Sequence, residues 1–356
     1  MSHRGLVASF VVSAFALVAG CGGSTPSGTG GGGSGGSAPT FNYPRDGVLR
    51  MNHLQLKGTH NSYHQPTADA AMVPALDYTH KPLDVQLESQ GVRQFELDTH
   101  WNQAKGVMEV YHLYLVDEGT SCRLFTDCLK TIKAWSDKNP AHEPLFIQIE
   151  PKDSPTDAET AETYFGNLEG EVLQVFPRSR VITPDDVRGQ AANVRDALAA
   201  GGWPTLGSAR GKIAFFIDNH EGLRDFYTHG AKDLAGRLMF IDAEPTDPWA
   251  GIILANDPVG DTARITAALK GNLLIRSRAD SDNDGPLEGD TTQRDAAIAS
   301  GAHFISTDYP VAVPGVPMSG PPYVVEIPGG TPSRCNPLTA PQECASEDIE
   351  DPKFIQ

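Results

Sequence analysis

The chain has 356 residues, 39% of them hydrophobic, and its 45 acidic and 28 basic side chains give a net charge of −17. That length and apolar content suffice for one large domain with a substantial core. The acidic balance, without any basic run, excludes nucleic acid as a partner, and it makes broad electrostatic adsorption to anionic lipid unfavourable.

The N-terminus predicts export and lipidation. Arg4 precedes an apolar run over residues 6–19 that is too short to span a membrane comfortably. The run ends in LVAGC, which resembles the lipobox of a bacterial lipoprotein with Cys21 as the acylated first residue; an ordinary secretory signal cleaved nearby is the alternative. We expect a signal peptide over residues 1–20 and a lipidated, Gly/Ser-rich tether over residues 21–40. The domain would then be exported to the periplasm or the cell exterior and anchored to a bacterial membrane.

From about residue 50 onward, short apolar stretches alternate with amphipathic ones, which is the pattern of βα units around a parallel sheet. Residues 129–135 and 165–176 carry apolar side chains at helical spacing. The strand candidates are 53–59, 92–98, 107–113, 144–150, 212–218, 237–242, 272–278 and 303–307. Eight strands predict an α/β fold, a TIM-type (β/α)8 barrel over residues 41–310. We expect it to be irregular, because too few residues join the second and third strands to form a helix.

Apart from the cysteine of the lipobox, four cysteines form two close pairs. Export to an oxidising compartment favours the disulfides Cys122–Cys128 and Cys335–Cys344. A zinc site is the competing interpretation, but the gaps between the cysteines and the lack of an adjacent histidine disfavour it. Residues 311–356, rich in proline and glycine, therefore predict a C-terminal extension strapped by the second disulfide.

Four hard oxygen donors gather where predicted strands end. Glu96 and Asp98 are two residues apart, so both side chains face one side of their strand, and Asn61 and Glu150 end two other strands. In a TIM-type barrel the carboxyl ends of the strands meet at one mouth. Carboxylates held side by side in an apolar strand need a cation or hydrogen bonds. For one acidic pair alone, water at the strand end would provide those hydrogen bonds. The four donors together predict a Ca²⁺ site.

Two histidines flank these donors. His60 directly precedes Asn61, and His112 ends the third predicted strand. A lone histidine is more often structural than catalytic. Two histidines at strand ends beside an acid cluster favour a general base and a general acid.

At these motifs the sequence resembles the bacterial calcium-dependent phosphatidylinositol-specific phospholipases C. The motifs are GTHNSY (58–63), FELD (95–98), YH (111–112), QIEPK (148–152), RSRAD (276–280) and STDYP (306–310). Each motif is short, but their order and spacing together are specific, and the resemblance covers roughly residues 50–345. It implies a barrel related to the catalytic barrel of the eukaryotic phosphoinositide phospholipases.

The resemblance also implies an activity and a site. It assigns the general base to His60, the general acid to His112, and the calcium ligands to Asn61, Glu96, Asp98 and Glu150. The implied reaction is calcium-dependent cleavage of phosphatidylinositol to diacylglycerol and a cyclic inositol phosphate, which water can then open. A phosphatidylinositol-containing membrane is the implied partner, and we expect a monomer.

Three cations stand at predicted strand ends. Lys152, Arg276 and Arg278 are candidates for binding the substrate phosphate or the inositol hydroxyls, with Arg278 able to replace Arg276 because the two share a face. The alternative is that these cations simply form ion pairs with the acid cluster.

Two further segments allow more than one interpretation. Asp280, Asp282, Asp284 and Gly285 imitate the start of an EF-hand loop, but the position of the bidentate glutamate is a threonine, so we expect an acidic surface loop. The apolar residues 248–254 either form an exposed rim that meets lipid or pack the top of the barrel.

Two rival functions remain open. A glycerophosphodiesterase is also a barrel enzyme with acids, a cation and histidines, but that family typically has Arg-Gly after its first histidine, where this chain has Asn61-Ser62. A non-catalytic surface lipoprotein that binds inositol lipids or glycans is the second rival. Loss of a histidine or an acid would favour it, and both histidines and all the acids are present.

Overall fold

The computed structural model describes residues 41–219, 222–281 and 283–354. Its strands are β1 Leu54–Thr59, β2 Val92–Asn102, β3 Val107–Val110, β4 Leu145–Pro151, β5 Val181–Ile182, β6 Ile213–Ile217, β7 Phe240–Ile241, β8 Ile252–Leu254, β9 Leu274–Arg278, β10 Phe304–Thr307 and β11 Arg334–Cys335. Its α-helices are α1 Leu83–Ser89, α2 Phe125–Lys138, α3 Ala158–Val175, α4 Pro184–Arg188, α5 Val194–Gly201, α6 Leu206–Ala209, α7 Gly222–Tyr227, α8 Thr262–Lys270, α9 Asp284–Glu288 and α10 Thr292–Ala299. Within these described ranges, no helix combines the length and the apolar character needed to cross a membrane.

Eight parallel strands curl into the barrel. Their hydrogen-bonded order is β7-β6-β4-β2-β1-β10-β9-β8, and β5 pairs with the start of β6 on the β7 side. No backbone ladder joins β7 to β8 within residues 222–281, but the Leu254 N–H donates to Asp242 Oδ1 across this seam at 2.7 Å. The prediction of an irregular TIM-type barrel is confirmed.

The prediction that 107–113 forms a barrel strand is wrong. β3 pairs antiparallel with the far end of β2, with Thr99 opposite Val110 and Asn102 opposite Val107. A link as short as residues 103–106 can join only antiparallel neighbours, because a parallel crossover needs a dozen or more residues. The eighth parallel strand of the barrel is β8, which was not predicted.

The apolar segment 248–254 packs into the barrel and is not an exposed rim. Trp249 is only 5% exposed, and Ile252 and Ile253 are fully buried. β8 pairs with β9 and contributes these side chains to the main hydrophobic core. Packing is therefore the correct one of the two alternatives for this segment.

Both predicted disulfides, Cys122–Cys128 and Cys335–Cys344, are confirmed. The second holds β11, which pairs antiparallel with the start of β1 and so fastens the C-terminal residues to the barrel. Residues 41–356 form one compact unit that includes the hydrophobic core and both disulfides. Residues 1–40, with Cys21, lie outside the described residues, so export and lipidation stay predictions.

The buried side chain of His303 predicts a pH dependence of stability. The Ile275 N–H donates to Nδ1 and Nε2 donates to the Asn52 carbonyl, each at 3.1 Å, so the ring is held neutral. Burial lowers the pKa of His303 from its ordinary value to about 4. The unfolded chain takes up this proton near pH 6.5, but the folded chain does so only near pH 4. We therefore expect the free energy of unfolding to fall as the pH drops through this window, by about 2 kcal/mol at pH 5 from this residue.

Urea unfolding at pH 7 and at pH 5 measures this dependence. His303→Gln should unfold more easily than the wild type at pH 7 but lose less stability between the two pH values. The same loss in both proteins would show that His303 is not a source of the pH dependence.

Candidate active site

The carboxyl ends of five adjacent strands, β4, β2, β1, β10 and β9, form the candidate site. In the register of β2 with β4, Asp98 lies beside Glu150 and Glu96 beside Gln148. Because side chains at alternate positions share a face, the carboxylates of Glu96, Asp98 and Glu150 converge, with one ligand atom from each within 4.8 Å of the others. The structure thus brings together the three acids that strand parity selected.

Asn61 follows the carboxyl end of β1, the strand that pairs with β2, and its amide oxygen is available as a ligand. Its Nδ2 donates to the Tyr78 hydroxyl at 3.0 Å, and its buried Oδ1 has no hydrogen-bond partner among the described residues. Asp98 Oδ1 is likewise buried without a hydrogen-bond partner there. Buried oxygens without partners are costly, and Ca²⁺ prefers carboxylate and amide oxygens. These residues therefore fit a hard cation.

The cations at the strand ends lie in ion pairs with these acids. Lys152 Nζ is 2.9 Å from Asp98 Oδ2 and also contacts Glu150, while Arg276 pairs with Glu96. Burial alone would lower the pKa of Lys152, but Asp98 and Glu150 outweigh it and hold the pKa above its usual range. Ion pairing is thus the alternative that the structure shows. Arg276 is buried, whereas the side chain of Lys152 stays 20% exposed, so its contact with substrate remains a prediction.

A fourth acid, Asp218, stands next to the cluster and was not singled out from the sequence. It follows β6 and accepts a hydrogen bond from Gln148 Nε2 at 2.9 Å. Burial, and then the charges of Glu96 and Glu150, raise the pKa of Asp218 to about 7. The signal was present in the sequence, because Asp218 is the polar residue that ends a predicted apolar strand.

His60 is oriented by a carboxylate from the far end of the chain. Its Nδ1 lies 2.8 Å from Asp308 Oδ1, and Arg278 Nη2 donates to Asp308 Oδ2 at 3.0 Å. Burial would raise the pKa of Asp308, but His60 and Arg278 outweigh it and hold this pKa below its usual range. Nδ1 is therefore engaged, and Nε2 is the nitrogen left to exchange a proton with a ligand.

His112 is oriented by Asp117, which it shares with a second histidine. His112 Nδ1 lies 3.0 Å from Asp117 Oδ2, and the fully buried His64 places Nε2 2.7 Å from the same oxygen. Burial lowers the pKa of His112, and the hydrogen bond to Asp117 opposes this shift. The Tyr78 ring stacks on His64 with centroids 4.3 Å apart and lies 6.1 Å from His60, so it connects the two histidine groups.

The prediction of an acidic surface loop at 280–285 is wrong for its first residue. Asp280 is 2% exposed, and it accepts hydrogen bonds from Thr307 Oγ1 at 2.5 Å and from the Asp308 N–H at 2.8 Å. It therefore supports the acid that orients His60. Asp284 begins helix α9, so this part of the segment is not a loop.

Comparisons with known proteins agree with this fold. The model of the family described as "Phosphoinositide phospholipase C, Ca2+-dependent" matches residues 49–108 and 100–337. No curated protein sequence matches.

Three solved structures share the fold. The calcium-dependent phosphatidylinositol-specific phospholipase C of Streptomyces antibioticus is 19% identical, with a TM-score of 0.58 over 77% of this chain and 99% of that one. A calcium-dependent phosphoinositol-specific phospholipase C from a Pseudomonas species is 17% identical, with a TM-score of 0.55 over 74% and 92% of the two chains. Its myo-inositol complex gives 17% identity and a TM-score of 0.54 over 76% and 94%. The family match spans well over half of the chain. The chain therefore belongs to the family of calcium-dependent phosphoinositide phospholipases C.

Proposed function

We propose that this protein cleaves phosphatidylinositol to diacylglycerol and a cyclic inositol phosphate. One observation carries the proposal: two partly exposed histidines, each held by its own carboxylate, stand at the mouth that also holds the oxygen-donor cluster. A phosphodiester cleaved by an internal hydroxyl needs this pairing of a base and an acid. The family match and the myo-inositol complex of the Pseudomonas enzyme support inositol as the head group.

His60 acts as the general base. Asp308 accepts the hydrogen bond from Nδ1–H and so leaves the lone pair of Nε2 available. Nε2 takes the proton of the inositol 2-hydroxyl, and that oxygen attacks the neighbouring phosphorus. The charge that the ring acquires is stabilised by Asp308, which Arg278 keeps ionised.

His112 acts as the general acid. As the bond from phosphorus to the diacylglycerol oxygen breaks, the proton on His112 Nε2 passes to that oxygen. Asp117 holds Nδ1 and fixes the direction of the ring throughout. When water opens the cyclic phosphate, the two histidines exchange roles, since each ends the first step in the protonation state that the reverse role requires.

Asn61, Glu96, Asp98 and Glu150 would hold the calcium ion. Bound there, Ca²⁺ supplies Lewis acidity, which lowers the pKa of the attacking hydroxyl and neutralises charge on the phosphate. The partly exposed ammonium of Lys152 lies between two of these ligands and would be close enough to a bound phosphate to pair with it.

The test is release of water-soluble inositol phosphate from phosphatidylinositol vesicles by residues 41–356. We expect release with calcium and none with chelator, and no release of phosphocholine from phosphatidylcholine under either condition. Activity on water-soluble glycerophosphodiesters in place of phosphatidylinositol would contradict the proposal and favour a glycerophosphodiesterase. Binding without turnover would favour the lipid-binding lipoprotein.

A further inference from the structure

Three side chains that can bind a metal ion converge behind the general acid. His64 Nε2 and His112 Nδ1 lie 2.7 Å and 3.0 Å from the same oxygen of Asp117, Oδ2. One ligand atom from each of the three residues lies within 4.8 Å of the others. We call these three residues the Asp117 cluster. The proposed reaction uses His112 and Asp117 but gives no part to His64, so the second histidine needs its own explanation.

His64 is oriented as a metal-binding histidine is. Its Nδ1 lies 3.0 Å from the Tyr78 carbonyl, which can only accept a hydrogen bond, so Nδ1 carries a proton and donates it. Nε2 is then the nitrogen that is left to face Asp117. The ring is fully buried beneath the stacked Tyr78 ring, which fixes its direction. In metalloproteins the same arrangement, an N–H donated to a backbone carbonyl, directs the other ring nitrogen at the ion.

The carboxylate between the two histidines has an oxygen to spare. The Asp117 side chain is fully buried, and both histidines contact only its Oδ2. Its Oδ1 has no hydrogen-bond partner among the described residues. A buried carboxylate oxygen without a partner is unfavourable, and an ion is one of the partners that such an oxygen takes. Either oxygen of Asp117 is therefore available as a ligand atom.

Two ring nitrogens and one carboxylate oxygen suit Zn²⁺ and not Ca²⁺, which prefers oxygen alone. A tetrahedral zinc ion keeps its ligand atoms about 3.4 Å apart, so the cluster has to open by less than about 1 Å. Three protein ligands leave the fourth position to water. The His112 side chain is 18% exposed and the other two are fully buried, so the path for an ion runs from the active-site mouth past His112.

We propose that the Asp117 cluster is a second metal site, which binds Zn²⁺ and thereby switches off the general acid. The ion takes the place of the protons that lie between the two ring nitrogens and Asp117. With zinc on Nδ1, the His112 ring could release its Nε2 proton only by becoming an anion, so it no longer protonates the departing oxygen. The effect on turnover rests on the proposed function, whereas zinc binding does not.

Zinc affinity tests the site without any reference to activity. Competition with a chromophoric zinc chelator measures it on residues 41–356 in saturating calcium, which occupies the oxygen donors. We expect one zinc ion per chain. Because loss of a mere outer partner of a ligand costs about 10- to 100-fold in metal affinity, His64→Gln should weaken zinc binding more than about 100-fold. His112→Gln should do the same, and it replaces a partly exposed side chain, so it tests the site even if His64→Gln does not fold.

His53→Ala is the matched control for zinc binding. His53 is a partly buried histidine that precedes β1, whereas the Asp117 cluster lies beyond the carboxyl end of that strand. The variant should keep the zinc affinity of the wild type. Unchanged zinc affinity in both His64→Gln and His112→Gln would overturn the second metal site.

Turnover separates the inference from the proposed function. Zinc should inhibit release of inositol phosphate from phosphatidylinositol vesicles at the concentration that fills the site, and added calcium should not relieve the inhibition. Relief by calcium would overturn the inference, since it would place the zinc among the oxygen donors. Zinc binding that depends on His64 but leaves turnover unchanged would overturn the switch. Such binding in a protein without turnover on phosphatidylinositol, with or without zinc, would overturn the proposed function and leave the metal site standing.

Discussion

Replacing His60 by alanine is expected to lower the turnover of phosphatidylinositol by about 10²- to 10⁴-fold. The variant loses the base that accepts the hydroxyl proton, and water at the vacated position has neither its basicity nor its orientation by Asp308. Calcium affinity, measured by titration calorimetry, should stay unchanged, because the oxygen donors Asn61, Glu96, Asp98 and Glu150 are all retained. Initial rates on vesicles at saturating calcium give the turnover.

His53→Ala provides the control for this experiment. His53 is also a partly buried histidine, but it precedes β1 at the opposite end of that strand. Its loss should leave the rate within a few-fold of the wild type. Loss of calcium binding in His60→Ala would contradict the assignment, since it would make His60 a ligand and not the base.

Replacing Asp98 by asparagine should have opposite effects on the calcium-free and the calcium-loaded protein. Asp98 is fully buried, and burial, followed by the charge of Glu150, raises its pKa well above the usual range. An amide has no ionised form to bury, and Lys152 keeps Glu150 as its ion-pair partner, so the calcium-free variant should melt higher than the calcium-free wild type. At a calcium concentration 100 times the dissociation constant, the wild type should gain about 2.7 kcal/mol of stability, and the variant should gain little.

Thermal melts with chelator and with calcium measure both effects. Glu171→Gln is the matched control: Glu171 is a buried acid whose pKa is also raised by burial, but it lies on α3 and accepts its hydrogen bond from the Met108 N–H. It should keep the full calcium response. A normal calcium response in Asp98→Asn would show that the ion binds without this carboxylate.

The features that were correctly predicted from the sequence are those that depend on strand periodicity. The carboxylates of Glu96, Asp98 and Glu150 lie together because side chains alternate along a strand and parallel strands end at one mouth. The prediction from periodicity was wrong at β3, because a short apolar stretch has the same pattern in a barrel strand and in an antiparallel hairpin. It also failed at β8, whose three residues are too few to show a pattern.

The acids that orient the histidines could not be predicted from the sequence. Asp308 lies 248 residues from His60, and only closure of the barrel between β1 and β10 brings them together. Asp117 is near His112 in sequence, but nothing in the local pattern distinguishes it from the adjacent Glu118, which faces Arg123. Such pairings are set by tertiary geometry, which periodicity does not describe.

The seam between β7 and β8 divides the barrel into a compliant side and a rigid side. The strands that carry His60, its carboxylate Asp308 and the oxygen donors form one uninterrupted ladder from β4 to β9, and β3, which precedes His112, pairs with β2 of this ladder. The seam is flanked instead by short strands and is bridged at Asp242 by a side chain. Thermal breathing of the barrel should therefore concentrate where no reacting group is attached. Insertions and substitutions near the seam should therefore leave catalysis intact, so that members of the family can differ there without a change in the geometry of the catalytic residues.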